Sequence, residues 1–477
     1  MQRIWRKSGW AGVVVALCAA RASGQALPAE LASAWHQTGM PQSSMSLVVQ
    51  EVGGPRLAAV NARVPRNPAS VMKLVTTWTA LSELGPSYKW TTDLVSNPGA
   101  AIVNGVLSGP LYVRAAGDPD LMLQDLWTLL RDLRLQGVRQ IGDVVVDRSI
   151  FGNVATDPGA FDNAPDRAYN ASPDAFMVGF GAQRLMFTAD AATHAWRVVM
   201  DPPLPNVKLD GKLDWSDAAC RGEYEVYTTP VVTPQDTTFK LSGTVPGACG
   251  DFSLYRLALP QPAQTSGVLR ELWKELGGTM TGQVRDGLAP VDGTVLASHA
   301  SPELSDVIRI INKHSNNVMA RTLLLTLGAE RGLRPATVAS SDAVASRLLA
   351  DQGLSMPDLV LGNGAGLSRR ARVSADDLAA LLTAAWKSPY MPEFVSSLAI
   401  LGEDGTVKKR LRHDEATGRA HLKTGTLRDV RAMAGYVTGA SGKRYIVVCL
   451  VNNEKADEKA GALRYFDNAL VAWLAQR

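Results

Sequence analysis

Three short segments of the chain contain residue types that together could carry out acyl transfer. Ser70 and Lys73 are one turn apart in a predicted helix, so their side chains share one face. Ser315 and Asn317 come later in the chain, and Lys423 begins a final Lys-Thr-Gly segment. A hydroxyl nucleophile, an amine that accepts its proton, a second hydroxyl and a second cation can form an acyl-transfer site without histidine.

The ordered set supports this interpretation better than any single match does. An isolated S-x-x-K arises about once by chance in a chain of this length. Each hydroxyl or amide also has a simpler structural interpretation, because Ser70, Ser315 and Asn317 could all be helix-capping residues. The three segments nevertheless occur in order, and each lies on an element that suits the chemistry.

The predicted elements around these segments indicate an α+β fold. The chain near Ser70 opens a helix that ends at Gly85, and the unpaired N–H groups of a first turn favour developing negative charge. An N-terminal hairpin and three C-terminal strands predict a five-stranded antiparallel sheet flanked by helices. These strand predictions cover 44–62, 420–427, 432–438 and 445–451.

Between these parts lies a long segment of short predicted strands and loops rich in Pro, Gly and Asp, with one clear helix at 121–135. We interpret it as a large, mainly β insertion of one or two domains, because the motifs lie on both sides of it. The predicted boundaries are a signal peptide at 1–26, a discontinuous catalytic domain at 27–92 and 293–477, and inserted domains at 93–292, which could divide into 93–118 with 190–292 and 119–189.

The N-terminus has the pattern of a secretory signal peptide. Basic residues precede a short apolar stretch, 10–20, and Gly24-Gln25-Ala26 forms a plausible cleavage site. The apolar stretch is too short to span a bilayer comfortably, which favours cleavage near Ala26 over a membrane anchor. We therefore expect a periplasmic protein with at most peripheral membrane contact.

Composition narrows the class of protein further. The 477 residues are 46% hydrophobic and 20% charged, as in ordinary globular proteins, and a net charge of +4 without a basic run disfavours nucleic acid as a partner.

Cys220 and Cys249 share one loop-rich region, where an oxidising compartment permits a disulfide. Cys449 lies in an apolar run and is expected to be a buried small hydrophobe. The six histidines have no metal-ligand spacing, so we expect no metal and no cofactor.

With these motifs identified, the chain resembles the penicillin-binding serine D-Ala-D-Ala carboxypeptidases. Within them it is similar to the class C low-molecular-mass branch, which combines carboxypeptidase and D,D-endopeptidase activity. A long insertion between the first two motifs is typical of that branch, and the pair Cys220 and Cys249 has counterparts there. The similar segments are 67–77, 117–119, 144–151, 421–427 and 434–437.

The resemblance implies a transpeptidase/β-lactamase-like fold, peptidoglycan peptides ending in D-Ala-D-Ala as substrates, and covalent acylation by β-lactam antibiotics. Ser70 would be the nucleophile and Lys73 its base, with a pKa lowered by burial and by the neighbouring cation Lys423. Ser315 would relay a proton to the departing D-Ala nitrogen. Asn317 would hydrogen-bond the backbone amide of the substrate.

The last motif is expected to recognise the substrate terminus. Lys423 with Thr424 and Thr426 would bind the terminal carboxylate. Gly425 would let the substrate approach the strand backbone closely. The resemblance also implies an oxyanion hole made by the backbone N–H groups of Ser70 and Thr426.

Four residues depart from the pattern of this branch. Asn316 stands where Asp is usual, Arg321 where Glu is common, and the segment from Asn363 has Asn for Asp and, at Ala365, Ala for Ser. We expect Asn316 to leave the chemistry intact, because alternate residues point to opposite sides. The other three concern substrate selection or the support of the motifs.

Two alternative functions would use similar features of the chain. A serine β-lactamase shares the fold and motifs but needs a dedicated deacylating group, and the chain contains neither E-x-x-L-N nor Y-x-N in place of S-x-N. A non-catalytic cell-wall-binding protein could use the same pocket, but the intact set of motifs argues against it. The balance of the two peptidase activities and the oligomeric state stay open.

Overall fold

A computed structural model of the chain describes residues 27–222, 225–233 and 236–477, and the predicted signal peptide at 1–26 lies outside the described residues. The α-helices are α1 (Ala29–His36), α2 (Lys73–Leu84), α3 (Leu123–Leu135), α4 (Gln261–Glu275), α5 (Leu304–His314), α6 (Asn317–Glu330), α7 (Val338–Asp351), α8 (Ala375–Lys387), α9 (Met391–Ser396) and α10 (Ala460–Ala475).

The strands, taken in chain order, are β1 (Met45–Glu51), β2 (Arg56–Val60), β3 (Thr91–Ser96), β4 (Ile102–Val103), β5 (Val106–Leu107), β6 (Leu111–Ala115), β7 (Gln140–Ile141), β8 (Val144–Asp147), β9 (Gln183–Asp190), β10 (Ala195–Asp201), β11 (Val207–Gly211), β12 (Asp214–Ser216), β13 (Glu225–Val232), β14 (Thr237–Pro246), β15 (Phe252–Arg256), β16 (Thr279–Met280), β17 (Val284–Asp286), β18 (Thr294–Ala300), β19 (Ala399–Ile400), β20 (Ala420–Leu427), β21 (Val430–Thr438) and β22 (Arg444–Asn452).

The main sheet has the order β19-β20-β21-β22-β1-β2, and its strands pair antiparallel. This confirms the predicted antiparallel sheet of N- and C-terminal strands flanked by helices. The structure adds a sixth strand at the edge, β19, which has two residues and is too short to be recognised by alternation. In β20, Lys423 lies opposite Ala434 of β21.

Helices cover both faces of this sheet, so its central strands are buried on both sides. Alternate residues of β22 point to opposite faces. Ile446 and Val448 belong to the apolar core formed with α2 and α5 to α8, whereas Val447 and Cys449 pack in a second core with α1 and α10. The strand consequently has a nearly continuous apolar sequence.

The segment from β3 to β18 folds into further sheets. Their orders are β17-β8-β6-β3-β18, β16-β7-β5-β4, β10-β9-β15, and β11-β14-β12 with β13 on the other side of β14. The prediction of one clear helix was wrong, because α4 is a second one. Its first turn contains proline, and Gly267 interrupts its middle, which obscured the helical pattern. The division of 93–292 into one or two domains stays a prediction.

The cysteines have the arrangement that the sequence suggested. Cys220 and Cys249 form a disulfide, and Cys449 is free and buried. Among the described residues, no helix is both long and apolar enough to cross a membrane.

Three parts of the fold bring the motifs together. The segment Ala69–Met72 forms a 3-10 turn that packs against β20 and β21, and α2 packs against α5 and α6. The helix predicted to open near Ser70 therefore begins as a 3-10 turn and becomes α-helical at Lys73. Ser315 lies at the junction between α5 and α6. All three motif segments consequently meet at one edge of the main sheet.

Candidate active site

The turn that carries Ser70 is tightly enclosed by backbone from two other segments. A side-chain carbon on Gly425 would lie 2.6 Å from the Pro68 carbonyl oxygen and 2.9 Å from the Ser70 amide nitrogen. Gly366, with a positive φ of 76°, has no room for one either, since it would overlap the Ala69 carbonyl oxygen. Position 425 therefore needs glycine to make room for this turn, in addition to the expected close approach of the substrate.

Lys73 connects the nucleophile to the second motif. Its Nζ donates to Ser70 Oγ at 3.0 Å, to Asn317 Oδ1 at 2.6 Å and to the Ala365 carbonyl oxygen at 2.7 Å. The side chain is fully buried. Loss of its proton would let the same 3.0 Å contact accept the Ser70 hydroxyl hydrogen, which is the geometry that a general base requires.

Burial and neighbouring cations change the pKa values of both lysines. Desolvation lowers the pKa of Lys73 well below its usual value, and the positive charges of Lys423 and Arg321 lower it further. Burial also lowers the pKa of Lys423, to about 7. The Nζ of Lys423 donates to Ser315 Oγ and to the Thr424 carbonyl oxygen, both at 2.9 Å.

The backbone conformation between α5 and α6 sets the directions of the side chains in the second motif. Ser315 has a left-handed conformation, with φ 59°, at the end of α5. Asn316 caps α6 by accepting the Met319 N–H at 3.1 Å. Asn317 is the first residue of α6 and points to Lys73. Asn316 therefore provides the side-chain cap of α6. The side chains of Ser315 and Asn317 are not needed for capping and contact the two lysines.

A cleft of about 860 Å³ opens in front of these groups. Of the predicted site residues, Ser70, Ser315, Asn317 and Thr426 line it. Thr424 is engaged elsewhere, because its hydroxyl donates to the Thr406 hydroxyl at 2.8 Å. Sequence analysis had not identified this threonine partner.

One wall of the cleft comes from the inserted segment, and sequence analysis missed it. We call residues 159–171 the wall segment. Its Phe161 ring lies 4.5 Å from the guanidinium carbon of Arg369, and its Tyr169 carbonyl accepts from Asn317 Nδ2 at 3.4 Å. The sequence of this region is rich in Pro, Asp, Asn and Gly and has no periodicity, so nothing in it indicated a wall.

Two of the departures from the expected pattern have structural explanations. Ala365 contacts Lys73 through its backbone carbonyl, so the contact does not depend on the side chain at that position. Asn363 shapes the same turn, since its Oδ1 accepts the Ala365 N–H and its Nδ2 donates to the Leu367 carbonyl. Among the described residues, no group of three or more His, Cys, Asp or Glu side chains could hold a metal ion.

Two serine–lysine pairs, each with a buried lysine and a serine that lines the cleft, lie together at the edge of an antiparallel sheet flanked by helices. This arrangement defines a serine acyl-transfer enzyme with a transpeptidase/β-lactamase-like fold. Comparison with known families agrees. Residues 27–477 match the D-Ala-D-Ala carboxypeptidase 3 (S13) family. The chain belongs to this family, which confirms the predicted class, a serine-type D-Ala-D-Ala carboxypeptidase of the class C low-molecular-mass penicillin-binding proteins.

Individual relatives are similar over most of the chain. A D-alanyl-D-alanine carboxypeptidase of an Actinomadura species is 30% identical over 423 residues, 85% of this chain and 77% of that protein. The D-alanyl-D-alanine carboxypeptidase DacB of Haemophilus influenzae is 27% identical over 387 residues, 80% of each chain. The solved structure of penicillin binding protein 4 from Haemophilus influenzae has a TM-score of 0.76 and 24% identity, covering 94% of this chain and 99% of that one. The same protein has also been solved in complex with a β-lactam.

Proposed function

We propose that the chain cleaves the terminal peptide bond of peptidoglycan stem peptides ending in D-Ala-D-Ala through an acyl-enzyme on Ser70. The observation that carries the proposal is the position of Lys73. Its fully buried Nζ lies 3.0 Å from Ser70 Oγ, and desolvation together with two nearby cations lowers its pKa. Such a lysine is neutral often enough to take the serine proton.

In the proposed reaction, the Ser70 hydroxyl proton passes to Lys73 while Oγ bonds to the carbonyl carbon of the penultimate D-Ala. The backbone N–H groups of Ser70 and Thr426 stabilise the oxyanion. The carbon–nitrogen bond then breaks, and the proton that Lys73 took passes through Ser315 to the leaving amine of D-Ala, so that Lys73 is neutral again. Water later attacks the ester carbonyl and gives a proton to Lys73, which returns it to Ser70 Oγ as the ester bond breaks and the shortened peptide is released.

The proposal assigns recognition of the terminal carboxylate to Lys423, Thr424 and Thr426, and the Thr424 hydroxyl would turn from Thr406 to donate to the carboxylate. Lys423 has no carboxylate partner among the described residues, and its pKa of about 7 leaves it only partly charged in the free enzyme. A bound carboxylate favours the charged form, so substrate binding and protonation of Lys423 reinforce each other. Asn317 would then hydrogen-bond the backbone amide of the substrate.

The same site should also react with cross-linked peptides and with β-lactams. The cleft of about 860 Å³ is large enough for a branched peptide, which fits the D,D-endopeptidase activity of the class C branch. A β-lactam presents a strained amide and a carboxylate to the same nucleophile and cation. The β-lactam complex of the Haemophilus protein supports this extension.

The proposal includes export to the periplasm with cleavage near Ala26, where peptidoglycan is accessible. The disulfide between Cys220 and Cys249 supports an oxidising compartment.

Purified muropeptides test the function directly. The mature protein should release free D-Ala from pentapeptides and cleave D,D cross-links, and Ser70→Ala should do neither. Ser82→Ala, at the far end of α2, is the matched control and should retain both activities. Rapid turnover of penicillin would instead indicate the β-lactamase alternative, and binding of muropeptides without product would indicate the non-catalytic one.

A further inference from the structure

Arg321 is a half-buried cation that has no carboxylate partner among the described residues. Its side chain leaves α6, and burial alone lowers its pKa to about 10. The structure shows no ion pair between this guanidinium and any described carboxylate. Its Nε is buried and has no hydrogen-bond partner. Burying an unpaired charge lowers the stability of the folded protein, so we expect a function that requires Arg321 at this position.

The hydrogen bond that Arg321 does make reaches the wall segment. Its Nη1 donates to the Ala171 carbonyl oxygen at 2.8 Å. Asn317 lies one turn earlier on the same face of α6, and its Nδ2 donates to the Tyr169 carbonyl at 3.4 Å. Two side chains from one helix face therefore fasten the end of the wall segment, residues 168–171, to the helix.

The same attachment affects the catalytic base, Lys73, through Asn317. The Oδ1 of the same Asn317 amide accepts from Lys73 Nζ at 2.6 Å. If the 168–171 turn moved away from α6, the amide would lose the acceptor for its Nδ2 and could rotate. The orientation of Asn317, and with it the position of Lys73, thus depends on where the wall segment is held.

We propose that Arg321 is a positioning residue for acyl transfer, which fastens the wall segment to α6 and supplies an unpaired positive charge beside the base Lys73. The proposal rests on the proposed function of the Ser70 site. It assigns a role to a residue where the branch commonly has Glu. A glutamate here could not donate to the Ala171 carbonyl and would place a negative charge near Lys73.

The charge has a consequence for the pH dependence of the reaction. The charged groups that act on Lys73 are Lys423, from β20, and Arg321, from α6, and both disfavour its protonated form. Removal of the Arg321 charge raises the pKa of Lys73. The base then gains its proton at higher pH, so the acidic limb of the acylation rate moves to higher pH.

The test compares Arg321→Met, Arg321→Gln and Arg321→Lys in the mature protein. For each variant, the rate constant of acylation by a fluorescent penicillin is measured across pH, together with KM and kcat for D-Ala release and the melting temperature. Arg309→Met, which removes an exposed cation from α5, is the matched control and should behave as wild type.

We expect Arg321→Met and Arg321→Gln to move the acidic limb to higher pH. Arg321→Met should also raise KM, by roughly tenfold at most, because release of the wall segment would let the Asn317 amide rotate away from its proposed contact with the substrate. Arg321→Lys keeps the positive charge and should restore the limb. If Arg321→Met does not fold, Arg321→Gln gives the same readout of charge.

An unmoved limb in a folded variant that lacks the charge would overturn the proposal, as would unchanged kcat and KM in a folded Arg321→Met. Failure of the underlying function is separately visible. In that case Ser70→Ala would still be labelled by the penicillin, whatever the Arg321 variants do.

Discussion

Three cationic side chains, Lys73, Lys423 and Arg321, surround the nucleophile, and none has a carboxylate partner among the described residues. Two of them are fully buried. Desolvation and mutual repulsion both disfavour the charged forms, so a neutral amine is accessible beside Ser70 near neutral pH. The terminal carboxylate of a substrate would supply the missing negative charge, which gives a physical reason for an exopeptidase preference.

The first prediction concerns that carboxylate. Amidating the C-terminal D-Ala should lower kcat/KM by roughly one to two decades, because a charge-assisted hydrogen bond contributes about 1.5–3 kcal/mol. Lys423→Met should show a similar loss on the native peptide and little further loss on the amide, since both changes delete one interaction. If the two penalties simply add in this double-mutant cycle, Lys423 acts only by lowering the pKa of Lys73.

The second prediction follows from the titration of Lys423. In the proposed function its charged form binds the carboxylate, and its pKa in the free enzyme is about 7. KM for the peptide acid should therefore rise as the pH increases above 7, where the lysine loses its proton. Steady-state assays between pH 6 and 9 measure this, with the peptide amide as a control whose KM should stay level. A KM for the acid that fell over this range would contradict the assignment.

Substitutions of Asn316, the residue that caps α6, test how the second motif is supported. Asn316→Asp should leave the acylation rate nearly unchanged, because Asp caps a helix as well as Asn does. Asn316→Ala should lower the free energy of unfolding by about 1 kcal/mol through loss of the bond to the Met319 N–H. Urea unfolding and penicillin acylation measure the two effects. A large loss of acylation in Asn316→Asp would mean that the side chain has a direct role.

Much of this arrangement could be predicted because it depends on regular elements. Ser70 and Lys73 are close in sequence, and Lys423 lies in a predicted strand, so their types and spacing were informative. The wall segment could not be predicted, since its place depends on long-range packing of an irregular chain. Thr406 was missed because its contact with Thr424 depends on long-range packing. The Ala365 carbonyl was missed because a backbone acceptor leaves no mark in residue type.

Departures from expected residues were harder to interpret from the sequence than the motifs were. Arg321 was recognised only as a substitution, because nothing nearby in sequence indicates that its partner is the Ala171 carbonyl. The 3-10 turn at Ala69–Met72 also differs from the helix start predicted near Ser70. Its cause is tertiary, since Gly425 and Gly366 let two other segments pack against the turn.

The molecule as a whole combines a catalytic sheet with inserted sheets that carry the disulfide. The residues around Cys249 belong to a separate small core with β9, β10 and β14. Replacing Cys220 and Cys249 by serine should lower the free energy of unfolding of that part by about 3.5 kcal/mol, while acylation of Ser70 persists. Calorimetry with parallel labelling tests this, and reduction of the wild type should reproduce the result. Simultaneous loss of labelling would show that the inserted segment and the site unfold together.

Peptide mapping by mass spectrometry locates the covalent bond that Ser70 is proposed to form. Trypsin cleaves after Arg66 and Lys73, so the peptide 67–73 contains Ser70 as its only serine. After incubation with benzylpenicillin, we expect one equivalent of adduct on this peptide and none in Ser70→Ala. An adduct on any other peptide, or one that persists in Ser70→Ala, would show that Ser70 is not the nucleophile.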